Sequence, residues 1–261
     1  MKKTFTTILI ILLTISLCAC NASTPAAVDT SASDAAPAET DQLKDNFEKA
    51  SAYVESLIDA SKTTVMTDDE EAGSLYRYWM YDNAPEQVSF SNEVDVGGAV
   101  IAIGKTLEKE LEGLGFQVEA SLDSVQPDEI TSVTVNKDGK SSILTLKCND
   151  TDQALPIADL PVYGFTSVYN EYTIPFSYSG LTNESTLADA LKLFGEPNSS
   201  LNLCADDSGT SIVLSYFNTA QEGETVTTDS LELTFLYQAD ANTAVFSSIV
   251  LSHDTYPAEA E

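Results

Sequence analysis

The sequence predicts an α+β fold of two tandem β-α-β-β-β repeats, each with a helix packed on an antiparallel sheet. A signal peptide, a disordered tether and one helix precede the repeats. Residues 106–115 and 186–195 share the pattern Thr-Leu-x-x-x-Leu-x-x-Leu/Phe-Gly at a constant offset of 80, and such recurrence indicates a duplicated unit. Runs rich in β-branched and aromatic residues flank both copies and are separated by turn residues. Helices and antiparallel strands that are segregated in this way are typical of the α+β class.

The first 19 residues have the organisation of an export signal. A basic start at residues 2–3 precedes an apolar segment at residues 8–17, which is too short for a membrane span of about 20 residues. The signal ends in Leu-Cys-Ala-Cys at residues 17–20, which resembles the lipobox of bacterial lipoproteins. The resemblance implies that Cys20 becomes the first residue, carries the lipid and anchors the protein. The alternative is an ordinary cleaved signal with an unrelated cysteine.

The lipidated cysteine and the residues after it, 20–40, are predicted to form a disordered tether. This segment is rich in Ala, Ser, Thr and Pro and has no aromatic residue, Leu or Ile. Such a composition buries too little apolar surface to offset the entropy of ordering the chain.

Residues 41–92 are predicted to contain an N-terminal helix followed by an aromatic segment. Apolar residues occur at 43, 47, 50, 54 and 57, and steps of four and three predict a helix from about Asp41 to Ala60. A helix packed on its own domain is favoured, and a coiled coil with a partner is the alternative.

The aromatic segment, residues 75–81, has the densest aromatic content of the chain. Because Tyr and Trp are common anchors of protein interfaces, Tyr76, Tyr78, Trp79 and Tyr81 are candidate ligand contacts. The alternation of Tyr76 and Tyr78 indicates a strand with one face in the core. Simple core packing of the whole run is the alternative.

The two predicted repeat helices have recognisable ends. Thr106 and Thr186 are candidate N-caps, and Asp189 completes a capping box with Thr186. Gly115 and Gly195 suit the left-handed position that ends a helix.

Strand-like runs surround each helix. The first repeat, residues 93–170, has runs at 99–103, 132–136, 141–147 and 162–169, and the second, residues 171–252, has runs at 172–178, 200–204, 211–217, 231–238 and 245–252. Turns are predicted at 137–140 and 206–209. Residues 253–261, which include His253, are expected to form an exposed tail.

The second copy carries a resemblance to known families. Residues 180–197 begin with Gly-Leu-Thr and end the predicted helix in Phe-Gly-Glu-Pro. This segment is similar to the start of SmpA/OmlA-type lipoprotein domains and of the β-lactamase-inhibitor-protein-like fold. The layout of residues 94–252 also resembles bacterial surface lipoproteins with two such repeats, although Phe116-Gln117 depart from the motif in the first copy. The resemblance implies a binding role without catalysis, and no binding residue of the family maps onto this chain.

The charge balance excludes several function classes. The chain has 41 Asp and Glu against 12 Lys and Arg, and one His. Nucleic-acid binding needs clusters of Lys and Arg, and the sequence has none. One histidine argues against a Ser-His-Asp triad and a His-rich zinc site. We therefore predict no nucleic-acid partner and no cofactor, and we assign no catalytic residue and no metal ligand.

Two further kinds of sequence pattern resemble ligand sites. Residues 98–106 resemble a phosphate-binding loop, but five residues separate the glycines where the motif has four, so no nucleotide is predicted. Acidic stretches at 68–71, 149–152 and 206–207 contain oxygen ligands of the kind that Ca²⁺ takes. None follows the calcium-loop pattern, and solvated loops are the simpler interpretation.

Cys148 and Cys204 are the thiols that remain after processing at Cys20. Outside the cytoplasm they can pair, and each lies in or beside a predicted strand of a different repeat. A Cys148–Cys204 disulfide and two buried free cysteines are both open interpretations.

The sequence thus predicts a lipoprotein at the outer face of the bacterial cytoplasmic membrane that binds a protein or cell-wall ligand without catalysis. Two alternatives stay open. A pocket that closes around one small molecule would favour a solute-binding lipoprotein of a transporter. Two carboxyl groups about 5–9 Å apart in a cleft would favour a carboxylate-dependent extracytoplasmic hydrolase.

Overall fold

The structure is a computed structural model that describes residues 37–69, 73–150 and 152–258. The predicted signal peptide, Cys20 and the tether up to residue 36 lie outside the described residues. The chain from Pro37 onward forms one compact unit.

Strands outnumber helices in the described residues. The helices are α1 (Pro37–Glu55) and α2 (Leu187–Phe194), with short 3-10 helices η1 (Ala60–Lys62), η2 (Glu108–Glu110) and η3 (Ile157–Asp159). The strands are β1 (Thr63–Asp69), β2 (Leu75–Tyr81), β3 (Glu93–Val96), β4 (Ala99–Ala102), β5 (Gln117–Glu119), β6 (Ser124–Val125), β7 (Ile130–Lys137), β8 (Lys140–Lys147), β9 (Leu155–Pro156), β10 (Val162–Val168), β11 (Phe176–Ser177), β12 (Ser200–Asp206), β13 (Gly209–Glu222), β14 (Thr225–Gln238) and β15 (Thr243–Pro257). Helix α1 starts at Pro37, so the last four residues of the predicted tether are helical.

One large antiparallel sheet dominates the fold, and the predicted α+β architecture of two tandem repeats is wrong. Ten strands join in the order β1-β2-β12-β13-β14-β15-β10-β8-β7-β5, beside the smaller sheets β11-β3-β4 and β6-β9. Strands from both predicted repeats share the large sheet because β15 pairs with β10. Strand β2, which precedes both repeats, pairs with β12. Joining these strands edge to edge satisfies backbone groups that two separate sheets would leave exposed.

The first predicted repeat helix is not an α-helix. Only the single turn η2 forms after Thr106, and its neighbours are turns. Thr106 Oγ1 accepts a hydrogen bond from the Ala102 N–H at 3.0 Å instead of capping a helix. Gly113 would cost about 1 kcal/mol in a helix interior. The repeat is therefore a repeat of sequence pattern and not of structure.

The second predicted repeat helix is confirmed as α2. Thr186 Oγ1 accepts from the Asp189 N–H at 3.3 Å, and Asp189 Oδ2 accepts from the Thr186 N–H at 2.8 Å. At the other end, the Gly195 N–H donates to the Leu191 carbonyl at 2.9 Å. The capping box and the terminal glycine thus set both ends of this helix.

Three long strands at the C-terminus extend beyond their predicted limits. Strands β13, β14 and β15 have 14, 14 and 15 residues. Because β15 continues to Pro257, the tail prediction is wrong for residues 253–257. The predicted strand at 172–178 is reduced to β11.

The hydrophobic core lies on one face of the ten-stranded sheet, which we call the inner face. Leu201, Leu214, Leu233 and Ile249 stand opposite one another on four adjacent strands, and each is fully buried. Truncating one such side chain to alanine typically costs about 2–5 kcal/mol.

Both helices pack on this inner face. Arg77 of β2 lies over the Phe47 ring of α1 at 4.9 Å from its centroid. The Phe194 ring at the end of α2 lies 5.7 Å from Tyr216 of β13. The three-stranded sheet covers the inner face as well, since Phe176 of β11 lies 6.0 Å from Phe246 of β15. We call the opposite side of the ten-stranded sheet the open face.

Candidate binding face

The strand register defines which side chains belong to the open face. Successive side chains of a strand point to opposite sides, and residues directly opposite one another on neighbouring strands share a side. One row of the open face crosses eight strands: Ser200, Ser215, Glu232, Val250, Thr166, Ile143, Thr134 and Glu119. Steps of two residues along each strand give the neighbouring rows.

Large exposed apolar side chains are concentrated on this face. The described residues include 14 of them. Nine lie on the open face by register, namely Met66, Met80, Ile130, Ile143, Val168, Phe217, Leu236, Val250 and Tyr256. Apolar residues scattered singly are normal on a surface, whereas groups on one face mark interaction sites. The open face is therefore the candidate functional site.

A carboxylate lies at the centre of the open face. Glu232 of β14 stands directly opposite Ser215 on one side and Val250 on the other. Its side chain is half-buried, and burial raises the pKa of its carboxyl above the usual range. Among the described residues, no side chain or backbone group forms a hydrogen bond or an ion pair with the Glu232 carboxylate.

Small hydroxyl side chains surround this carboxylate. They are Ser215 opposite, Ser230 and Thr234 on the same strand, and Ser248 and Ser252 diagonally across on β15. Phe217, on the other diagonal, is an exposed aromatic ring. Diagonal neighbours in a sheet are about 7–8 Å apart, so a group that reaches Glu232 also reaches this ring.

A lysine and an aspartate form an ion pair towards one end of the open face. Lys147, at the end of β8, forms an ion pair with Asp254 of β15, and their side chains are 12% and 22% exposed. The Lys147 ammonium also lies 5.6 Å from the centroid of the Tyr163 ring. Among the described strand residues of the open face, Lys147 is the one Lys or Arg, and Asp254 already balances its charge.

The predicted aromatic contacts divide between the two faces. Tyr76 and Tyr78 lie on the open face and stack with ring centroids 6.3 Å apart. Trp79 points to the inner face, where it is 0% exposed. Tyr81 shares that side and is half-buried, and burial raises the pKa of its hydroxyl. Tyr76 and Tyr78 therefore stay candidates for ligand contact, while Trp79 belongs to the core.

Of the two interpretations that the sequence left open for Cys148 and Cys204, the disulfide between them is not present. The two cysteines are not joined to each other. Four strands lie between β8 and β12, which separates them by roughly 24 Å. A disulfide requires Cα atoms within about 7 Å. Sequence reasoning left both interpretations open because the strand order was unknown.

His253 lies in a strand and not in the exposed tail that the sequence predicts. It lies in β15 opposite Asp229 of β14, with its Nδ1 2.6 Å from Asp229 Oδ1. The Asn92 amide donates to the same carboxylate oxygen at 2.7 Å. No Ser, Thr or Cys side chain of the described residues forms a hydrogen bond with His253. The cluster thus ties the segment before β3 to the large sheet.

The acidic loops bind their own backbone. Asp206 Oδ1 accepts from the Ser208 N–H at 2.7 Å. Asp150 accepts from two backbone N–H groups, which hold the pKa of its carboxyl below the usual range. The side chains of residues 68–71 lie outside the described part of the chain. Within that part, no group of three or more His, Cys, Asp or Glu is placed to hold a metal ion.

Two surface depressions are open to solvent. One of about 250 Å³ lies beside Val94, Val100 and Ser179, and one of about 550 Å³ lies beside Thr182 and Lys192. Neither is lined by a residue of the open face.

Comparison with known proteins gave no match to a protein-family model, a curated sequence or a solved structure. The predicted resemblance to SmpA/OmlA-type and β-lactamase-inhibitor-protein-like domains stays a prediction. In the described part of the chain, no helix has the length and apolarity needed to cross a bilayer.

Proposed function

We propose that this chain is a lipid-anchored, extracytoplasmic binding protein without catalytic activity that recognises a protein partner through its open face. The observation that carries the proposal is the concentration of nine of the 14 large exposed apolar side chains on that face. Lipidation at Cys20 would fix the chain to the outer face of the cytoplasmic membrane.

The shape of the open face favours a protein partner over a small molecule. Ten strands at about 4.8 Å spacing make a surface on the order of 45 Å wide. Small-molecule sites are concave and enclose most of their ligand, whereas protein interfaces are broad and bury about 800 Å² on each partner. Stacked Tyr76 and Tyr78 add amphipathic side chains of the kind that anchor interfaces.

The proposal is tested by capturing the partner with the full chain from the native cells and comparing three proteins. Wild type and the matched control Val100→Thr, an exposed strand valine away from the open face, should retain the same partner. The double variant Phe217→Thr/Val250→Thr should lose it. Threonine is β-branched and suits a strand, so the fold should be preserved, which circular dichroism checks.

Equal retention of the partner by all three proteins would contradict the proposal. It would also be contradicted if Val100→Thr lost the partner as completely as the double variant.

A further inference from the structure

In the described part of the chain, no Lys or Arg forms an ion pair with the carboxylate of Glu232. Lys2 and Lys3 belong to the predicted signal peptide. Among the strand residues of the open face in the described part of the chain, Lys147 is the one Lys or Arg. Lys147 is already paired with Asp254. The described part of the chain therefore supplies no cation to Glu232, and another molecule can supply one.

Burying the open face under a partner costs free energy if the Glu232 carboxylate receives no cation. A partner that placed apolar atoms over Glu232 would complete the burial of a charge without compensation. A partner that placed a cation there would form charge-assisted hydrogen bonds instead. The surrounding serine and threonine side chains are small and supply further acceptors for the same group.

We infer that the partner protein inserts a lysine or arginine side chain into the centre of the open face, where it pairs with Glu232 among apolar contacts. The inference rests on the proposed function. Arginine suits the position better because its planar guanidinium binds a carboxylate through two hydrogen bonds and stacks on an aromatic ring. The exposed ring of Phe217 lies on the diagonal from Glu232.

The chain's own N-terminal segment and a second copy of the chain complement the Glu232 carboxylate less well than a foreign basic protein does. Residues 4–43 contain no Lys or Arg, so the chain between the basic start of the predicted signal peptide and Lys44 offers no basic side chain to Glu232. A second copy bound symmetrically through this face would bring two Glu232 carboxylates together, and like charges in contact are unfavourable. A foreign basic partner is also attracted over distance by the formal net charge of −29.

The test uses a random library of displayed peptides as the probe and the full chain as the target. Peptides selected on wild type should be enriched in Lys and Arg next to apolar residues. Their affinity should fall roughly tenfold or more on Glu232→Gln and should not change on the control Glu184→Gln, an exposed loop carboxylate. A second selection on Glu232→Lys should reverse the preference and enrich Asp and Glu.

The experiment distinguishes failure of the Glu232 pairing from failure of the open face as a binding surface. Peptides that lose binding on Phe217→Thr/Val250→Thr but show no basic enrichment, or that bind Glu232→Gln unchanged, overturn the inference and leave the open face standing. A selection that yields no peptide sensitive to the double variant overturns the proposed function itself.

Discussion

Gly104 and His253 are in direct contact: the imidazole ring lies so close to the Gly104 backbone that no Cβ fits at that position. Gly104 also has a φ of +81°, a conformation that other residues rarely adopt. The contact joins the turn after β4 to β15, and the hydrogen bond between His253 Nδ1 and Asp229 Oδ1 holds the ring in place.

Gly104→Ala should therefore destabilise the protein by about 2 kcal/mol or more, because it adds steric overlap to backbone strain. In a His253→Ala background the same change should cost only about 1 kcal/mol, since the overlap is gone and the strain remains. Urea denaturation of the four proteins in this cycle measures the difference. Equal costs in both backgrounds would show that the ring does not occupy this space.

Trp79→Ala should lower the free energy of unfolding by about 3–5 kcal/mol, because the ring is fully buried against the inner face. Val250→Thr on the open face should change it by about 0.5 kcal/mol or less. Thermal melting of the two variants measures this difference, with a large drop in Tm expected for Trp79→Ala and almost none for Val250→Thr. An unchanged melting temperature for Trp79→Ala would mean that Trp79 is exposed and available to a ligand.

Glu232→Gln should stabilise the isolated protein at neutral pH. Burial raises the pKa of this carboxyl above its usual 4.5, so the folded state binds the proton more tightly than the unfolded state does. Wild type therefore loses stability as the pH rises from about 4.5 through the folded pKa. The stability difference between the variant and wild type should be present at pH 7 and should close below pH 4.5. A difference that is constant with pH would contradict this account of Glu232.

Thiol titration should find both Cys148 and Cys204 reactive in the unfolded fragment from Pro37 onward without reductant. In the folded fragment Cys148 should react far more slowly, because it is fully buried whereas Cys204 is partly exposed. Two thiols that appear only after reduction would contradict the sheet order.

Local structure could be predicted from the sequence where neighbouring residues determine it. Thr186, Asp189 and Gly195 set the ends of α2 through contacts within one turn. The turn at residues 137–140 forms between β7 and β8, with Asp138 and Gly139 at the positive φ that a tight hairpin requires. Strand identity also followed from composition for most of the large sheet.

Strand order could not be predicted, because it depends on contacts distant in sequence. Nothing near Tyr76 or Tyr78 indicates that β2 pairs with β12, more than 100 residues later. The alternating pattern around Glu232 indicates a half-buried strand, but only the sheet order shows that this carboxylate lies at the centre of the open face. Because strand order was unknown, the pairing of Cys148 with Cys204 stayed open and the two-repeat fold was predicted wrongly.

The His253 cluster was missed for a related reason. Asp229 and His253 meet because β14 and β15 pair in a register that reaches almost to the C-terminus. The apolar run of the strand ends at Leu251 and polar residues follow it, so composition near the chain end favoured a tail instead.

The open face as the binding surface is the central claim, and site-specific photo-crosslinking in intact native cells tests it most directly. A photoreactive amino acid is placed at Val250 on the open face or at Val100 away from it, both of which are exposed strand valines. We predict a discrete crosslinked protein from position 250 that is absent from position 100. The same crosslinked species from both positions, or none from position 250, would contradict the claim.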